Sequence, residues 1–353
     1  MKIKLAILEN DKNYLNRIIS VFNTKYQDKF EVYSFTNPDV ALSTLDSAKI
    51  DVLIANSLFD IDVDRLPKRC GFAYFSESAD VETVKGQRSI GKFQKADLIY
   101  KQILSIFSEK SESISTVKFG DDLTRVVVFS PVSGGCGSST MAASCAVHFA
   151  LKGKKTLYLN LEKFGSSDSF FSAEGQFDMS DIIFALKSRK TNLAIKLESC
   201  VKQDKSGVYF YSQSKIALDM MELSTEDVLR LVSELRLTGS YDVIVLDMDF
   251  SLDSRVINIL KQVHSIVWVG DGSDISNMKL LRAYTALSII EQTSEESLLG
   301  RLMVIYNKFS NKGSTMLEGT DINILGGNPR YEHATTSMII DQIAPKGMFD
   351  KIC

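Results

Sequence analysis

The stretch Val126-Val-Val-Phe-Ser-Pro-Val-Ser-Gly-Gly-Cys-Gly-Ser-Ser-Thr140 constrains the fold more than any other part of the chain. An apolar, β-branched run leads into a cluster of glycines and then into residues of helical character, so the segment must be strand, tight loop and helix in succession. Gly134, Gly135 and Gly137 open backbone angles closed to other residues. Such a loop turns successive N–H groups inward, and the helix behind it adds the positive end of its dipole; together they suit phosphate. The usual form of such a loop, GxxxxGK[ST], sets a lysine on the outer phosphates and a Ser/Thr hydroxyl on magnesium. Here Ser138 stands in the lysine position, and Ser139 supplies the hydroxyl. These residues point to binding nucleotide more strongly than to hydrolysing it.

At 353 residues the chain has room for about two domains. Hydrophobic content of 44% and charged content of 24% are ordinary for a globular protein, and a formal net charge of −3 gives no sign of a nucleic-acid surface. The five cysteines, Cys70, Cys136, Cys145, Cys200 and Cys353, show neither CxxC nor Cys/His metal spacing. The first ten residues are too short an apolar run for a signal peptide, and no run of 18 apolar residues follows. A cytoplasmic, soluble protein is the expectation.

Apolar runs alternate with helical periods through most of the chain. Strands are predicted at Lys4–Leu8, Phe30–Phe35, Val52–Ala55 and Phe72–Phe75, with a weaker one at Ile90–Phe93; helices are predicted at Tyr14–Phe22, Pro38–Leu45 and Leu98–Phe107. A polar, Ser-rich stretch follows. After it, strands at Arg125–Ser130, Thr156–Leu161, Val208–Tyr211, Val243–Asp247, Ser265–Val269 and Leu302–Tyr306 alternate with helices at Ser139–Leu151, Ser180–Lys187, Thr225–Leu237, Ser254–Val263 and Ile275–Ile289. The fold class is α/β with two doubly wound parallel-sheet domains, residues 1–108 and 122–353, joined by a linker over 109–121.

Ser133-Gly-Gly-Cys-Gly-Ser-Ser-Thr140 resembles the deviant phosphate loop KGGxGK[ST]T of the MinD/ParA group of ATPases, with both lysines replaced, by Ser133 and Ser138. Other motifs follow in the order of that group. Asn160-x-Glu162 resembles its switch I DxD, Tyr241–Asp247 its Walker B strand, Asn307 its adenine-reading Asn, and Asn328-Pro329 the loop that closes over the base. The first domain resembles a response-regulator receiver, a flavodoxin-like fold, and its fusion to a MinD-like domain resembles the TadZ/CpaE proteins. Those localise the Tad-type pilus assembly machinery, commonly at a cell pole.

The resemblance implies roles residue by residue. ATP would lie on Ser133, Gly134, Gly135, Cys136, Gly137, Ser138, Ser139 and Thr140, with Asn307 and Pro329 near the base; Mg2+ would be held by Ser139 and, through water, by Asp247. Glu162 is the candidate for positioning water. It is one methylene longer than the family's Asp, and with both family lysines replaced hydrolysis is expected to be weak or absent. Lys163 is read as a solvated loop lysine that can swing toward phosphate, and Asp247 otherwise as a capping carboxylate. In the receiver comparison Glu9, Asn10 and Asp11 follow the first strand, Ser76 the fourth, and Lys95 lies near the fifth, while Asn56 replaces the phosphoryl-accepting Asp. An amide is a poor nucleophile, so the domain is expected to lack phosphorelay chemistry.

His148, His264 and His333 are scattered and are read as structural, and Met220, Met221 and Leu223 as core. Thr336–Cys353 is poor in Lys/Arg and unlike a basic amphipathic membrane anchor. The implied partners are ATP, a second copy of the chain in a homodimer, and other Tad pilus assembly or polar proteins, with neither nucleic acid nor direct membrane attachment. The functional expectation is an ATP-binding localisation scaffold. The alternative is an active ParA/MinD-type ATPase that positions cargo through a nucleotide cycle.

Overall fold

The computed structural model describes residues 2–110, 124–189, 192–292, 297–318 and 320–352. In chain order the first part gives β1 (Ile3–Leu8), α1 (Lys12–Lys25), β2 (Phe30–Phe35), α2 (Pro38–Ser47), β3 (Val52–Asn56), β4 (Gly71–Ser76), β5 (Thr83–Val84), β6 (Gln87–Gly91) and α3 (Ala96–Lys110). Next come β7 (Arg125–Pro131), α4 (Ser138–Leu151), β8 (Thr156–Asn160), α5 (Met179–Ser188), α6 (Leu193–Cys200), β9 (Lys202–Gln203), β10 (Tyr209–Phe210), α7 (Ala217–Met221) and α8 (Thr225–Leu237). The last third holds β11 (Val243–Asp247), α9 (Ser254–Leu260), β12 (Ser265–Gly270), α10 (Asp274–Gln292), β13 (Leu302–Phe309), β14 (Asn323–Pro329) and α11 (Thr336–Ile343).

The chain divides into two compact units: residues 1–115 with 188–200, and residues 116–187 with 201–353. Of the linker expected over 109–121, Glu109 and Lys110 are the last turn of α3, and the remainder lies outside the described residues.

In the first unit the strand order is β2-β1-β3-β4-β6-β5, all parallel except the β5–β6 hairpin. Local sequence sets the helix starts. Asp11 caps α1 by accepting from the Asn13 and Tyr14 N–H groups, and Asn37 caps α2 ahead of Pro38, whose missing N–H is harmless at that position. One face of the sheet buries Ile7, Ile54, Phe75 and Ile103; the other buries Leu8, Leu53, Tyr74 and Leu45. Sequence reasoning placed the fifth strand three residues late. Lys85 (φ 50°) and Gly86 (φ 73°) form a two-residue turn between β5 and β6, and this hairpin moves the strand to Gln87–Gly91.

A second difference is α6. It belongs to the first unit although its sequence lies between α5 and β9, and it packs on α3. Leu193, Leu197 and Cys200 are buried, Ile195 packs into the core, and Glu198 accepts hydrogen bonds from Tyr100 Oη and Lys29 Nζ, both at 2.7 Å. The i, i+4, i+7 spacing of Leu193, Leu197 and Cys200 was the available signal.

The second unit is a sheet of order β14-β13-β12-β7-β11-β8-β10-β9, parallel apart from β9. β7 is central, and α4 behind it is buried almost throughout, from Met141 to Phe149. The last residues are built into this core. α11 packs on α4, Phe349 and Ile352 are buried, and Ser265 Oγ donates to the Ile352 carbonyl at 2.7 Å. His148 fastens the segment: its Nδ1 lies 2.7 Å from the Ala344 carbonyl and its Nε2 2.8 Å from Asp350. His264 accepts from the Val126 N–H at 3.0 Å. Met220 is core, but Met221 is exposed and Leu223 only half-buried, which corrects the reading of all three as core. Among the described residues no helix is long and apolar enough to cross a membrane.

Candidate functional site

The glycine loop joins β7 to α4 at the carboxyl ends of the parallel strands, where ligands bind in open α/β sheets. Gly135 (φ 74°) and Gly137 (φ 85°) are left-handed, and Gly137 is also the residue that starts α4. A Cβ on Gly137 would lie 2.6 Å from Asn307 Nδ2, so glycine is required there twice over. Asn307 lies within β13, is buried, and donates that amide to the Cys136 carbonyl at 2.9 Å. Cys136 points into the core and donates its thiol to the Val269 carbonyl; burial pushes the thiol up to about 11, which makes it a spacer.

Each of the two serines that replace lysine has a distinct setting. Ser133 Oγ lies 3.0 Å from Ser276 Oγ in the first turn of α10. Ser138 is buried, and its hydroxyl has no hydrogen-bond partner. Neither brings positive charge to the loop. Thr140 continues the first turn of α4, and its carbonyl accepts from Ser144 Oγ.

Beside the loop, β8 and β11 deliver an acidic cluster. Ser139 Oγ lies 3.3 Å from both Glu162 carboxylate oxygens. Asn160 Nδ2 reaches Glu162 Oε2 at 3.1 Å and Asp247 Oδ2 at 3.2 Å, and the Glu162 N–H returns to Asn160 Oδ1 at 3.0 Å. Tyr158 donates its hydroxyl to Asp247 Oδ2 at 2.7 Å. Asp247 is fully buried, and its Oδ1 has no donor. Burial, and next the Glu162 charge, push this carboxyl up to about 7 despite the Tyr158 hydrogen bond. A buried carboxylate oxygen without a donor, set beside a second carboxylate and a serine hydroxyl, fits a divalent cation. Asp249 accepts from the Lys163 N–H at 3.1 Å and shapes the loop after β8.

The expected base-side residues divide. Pro329 is exposed and pairs in register with Phe309, next to Lys308. Asn328 is fully buried and accepts from Lys346 Nζ at 2.7 Å, so its side chain serves the core while Pro329 faces outward. Lys308, which sequence reasoning missed, donates to the Gly135 carbonyl at 2.7 Å. A separate basic cluster of Arg125, Arg236, Lys261, His264 and Arg301 lines a cavity of about 450 Å³ near the start of β7. There Arg236 and Arg301 donate to the Gln262, Lys261 and Val263 carbonyls just beyond α9, where positive charge suits the helix terminus.

In the first unit, Glu9, Asn56, Ser76 and Lys92 are buried at the carboxyl ends of β1, β3, β4 and β6. Asn56 Nδ2 donates to Glu9 Oε1 at 2.5 Å and to Asn10 Oδ1 at 2.9 Å, while Lys92 Nζ lies 3.0 Å from Glu9 Oε2. Lys92 thus occupies the place given to Lys95 from sequence, a correction that follows from the earlier end of β6. Asp11 joins this cluster through its N–H, which donates to Glu9 Oε1 at 3.0 Å, while its side chain caps α1; Ser76 Oγ donates to the Ser78 carbonyl. The network centres on an amide and continues through Lys92 Nζ to the exposed Glu77 at 3.1 Å.

A glycine loop between a central parallel strand and a buried helix, with an aspartate ending the adjacent strand, defines a P-loop NTPase fold. Solved structures of MinD/ParA proteins share it. A ParA family ATPase from Chlorobium tepidum TLS is 20% identical with a TM-score of 0.50, over 65% of this chain and 96% of that one. A chain of the MinC:MinD cell division protein complex of Aquifex aeolicus is 18% identical with a TM-score of 0.50, over 65% and 94%. No curated protein matches by sequence. Residues 1–108 match the family described as TadZ-like, receiver domain. That match covers the first domain alone, and the MinD/ParA-like fold follows it in the chain.

Proposed function

We propose that this protein is an ATP-binding scaffold of Tad-type pilus assembly, in which nucleotide orders the second unit and hydrolysis is weak or absent. The observation that carries the reading is the meeting of a glycine loop, left-handed at Gly135 and Gly137, with Ser139, Glu162 and the unsatisfied Asp247 oxygen. Magnesium bound there, held by Ser139 directly and by Asp247 through water, would offset phosphate charge. Weak turnover follows from the two serines in lysine positions. A charge-assisted contact contributes about 1.5–3 kcal/mol, and phosphoryl transfer needs fixed cations on the equatorial oxygens. Asn160 in place of a carboxylate removes one repulsive charge, so binding tolerates the loss better than catalysis does.

Glu162, clamped by Ser139 and Asn160, is the residue proposed to position water in any residual turnover. Two copies would pair through residues 121–353, leaving the receiver-like domain to bind other pilus-assembly proteins and to bring the complex to a cell pole. Isothermal titration of the full chain with MgATP and MgGTP, with phosphate release measured in parallel, tests this reading. Binding of MgATP with near-background phosphate release is expected. Absence of binding for both nucleotides at millimolar concentration would remove the nucleotide role, and turnover on the order of 1 s⁻¹ would establish a cycling ATPase in its place.

A further inference from the structure

β13 carries a distortion that sheet pairing does not require. Its register with β14 shifts between Tyr306 and Phe309, and within that interval Lys308 adopts φ 56°. This left-handed conformation is unfavourable for any side chain with a Cβ, and where it persists the surroundings impose it. The distortion aims the lysine at the glycine loop. Its Nζ lies 2.7 Å from the Gly135 carbonyl, and its Cε lies 3.6 Å from where a Cβ on Gly137 would sit. The side chain thus crosses both left-handed glycines, next to Asn307 on the Cys136 carbonyl. It is exposed, and among the described residues no carboxylate lies within ion-pairing distance.

We propose that Lys308 supplies the positive charge that Ser133 and Ser138 do not, so that the loop holds phosphate with a cation brought from β13. The proposal rests on the nucleotide-binding reading of the loop and names the residue on which that binding depends. The Gly135 carbonyl belongs to the same peptide as the Cys136 N–H. An ammonium on the carbonyl polarises that peptide and strengthens its N–H as a donor to an anion. Four methylenes also let the ammonium leave the carbonyl for a phosphate oxygen once one is present. Lys308 is on this account a phosphate-binding residue that acts both through the loop peptide and by direct approach of its ammonium.

The test is titration of the full chain and its Lys308→Gln, Lys308→Arg and Lys308→Gly variants with MgATP, tripolyphosphate and adenosine, at two salt concentrations. Lys308→Gln keeps a donor without charge, and Lys308→Gly removes the backbone strain. Expected is a loss on the order of tenfold for both MgATP and tripolyphosphate in the Gln and Gly variants, with a shallower salt dependence. Lys308→Arg should retain most of the affinity. Lys308→Gly should melt at or above the wild-type temperature while binding more weakly, a combination that a merely structural lysine would not give.

Wild-type binding of MgATP with unchanged affinity in Lys308→Gln and Lys308→Gly would overturn the proposal and leave the nucleotide reading standing. A loss confined to MgATP and adenosine, with tripolyphosphate unaffected, would also overturn it by placing Lys308 at the base. Failure of the wild-type chain to bind either MgATP or tripolyphosphate would sink the nucleotide reading and this proposal with it.

Discussion

Tyr158 donates its hydroxyl to one oxygen of Asp247 at 2.7 Å, while the other oxygen of the same carboxylate is buried without a donor. A buried carboxylate left half-satisfied in this way is expected to respond to both protons and cations.

In metal-free protein the Asp247 carboxyl is raised from 3.8 to about 7, by burial first and the Glu162 charge second. The folded state therefore binds this proton more tightly than the unfolded chain. The resulting stability is fully present below about pH 4 and is lost as pH rises toward 7. Each unit of that window is worth about 1.4 kcal/mol. Urea unfolding with chelator, followed through Trp268, which lies in β12 of this unit and is the chain's one tryptophan, should show that decline. Asp247→Asn should flatten it, and MgATP should oppose it by favouring the carboxylate. An Asp247→Asn slope equal to wild type would contradict the assignment.

Asn56 should exclude phosphorylation of the first unit. Its amide donates to Glu9 and Asn10, so a carboxylate at that position would set like charge against a buried Glu9 that Lys92 already pairs. Intact mass after treatment with a small phosphodonor should be unchanged. Asn56→Asp should destabilise the first unit by about 2 kcal/mol or more, and by less when a divalent cation is added. A phosphorylated wild-type chain is the result that would count against this reading.

The packing of α6 on α3 makes the first unit depend on sequence far from it. Leu197 is 2% exposed, and truncating a buried leucine costs about 2–5 kcal/mol. Leu197→Ala should therefore speed hydrogen exchange in β1, β3 and β4 while leaving β7 and β11 unaltered. Exchange accelerated only in the second unit would show that the helix belongs there.

The proposed pairing of two copies would rest on packing, because Ser133 is too short to reach a partner's phosphates, and is expected to bury about 1,200–2,000 Å². Sedimentation of the full chain and of residues 121–353, each with and without MgATP, should give dimers of both with nucleotide. Monomers throughout at tens of micromolar would refute this. A dimer seen only for the full chain would shift the interface to the first unit.

What the sequence determined by itself was local. Glycines at 134, 135 and 137, the apolar run of β7 before them and the helical residues after them define strand, loop and helix within a few neighbours, and Asp247 is legible as the end of a buried strand. The alternation of such units was enough for two parallel sheets. The tertiary structure decided which distant side chains meet at those strand ends. Lys92 and not Lys95 faces Glu9 because a hairpin shortens the approach to β6, and Asn328 turns inward because Lys346 waits there. Lys308 reaches the loop because a bulge reverses its backbone, and α6 leaves its sequence neighbours for α3 because its apolar face finds a complement there. Periodicity records which face of an element is apolar. It carries no record of what that face or strand end will meet, since the partner is set by packing across the whole chain.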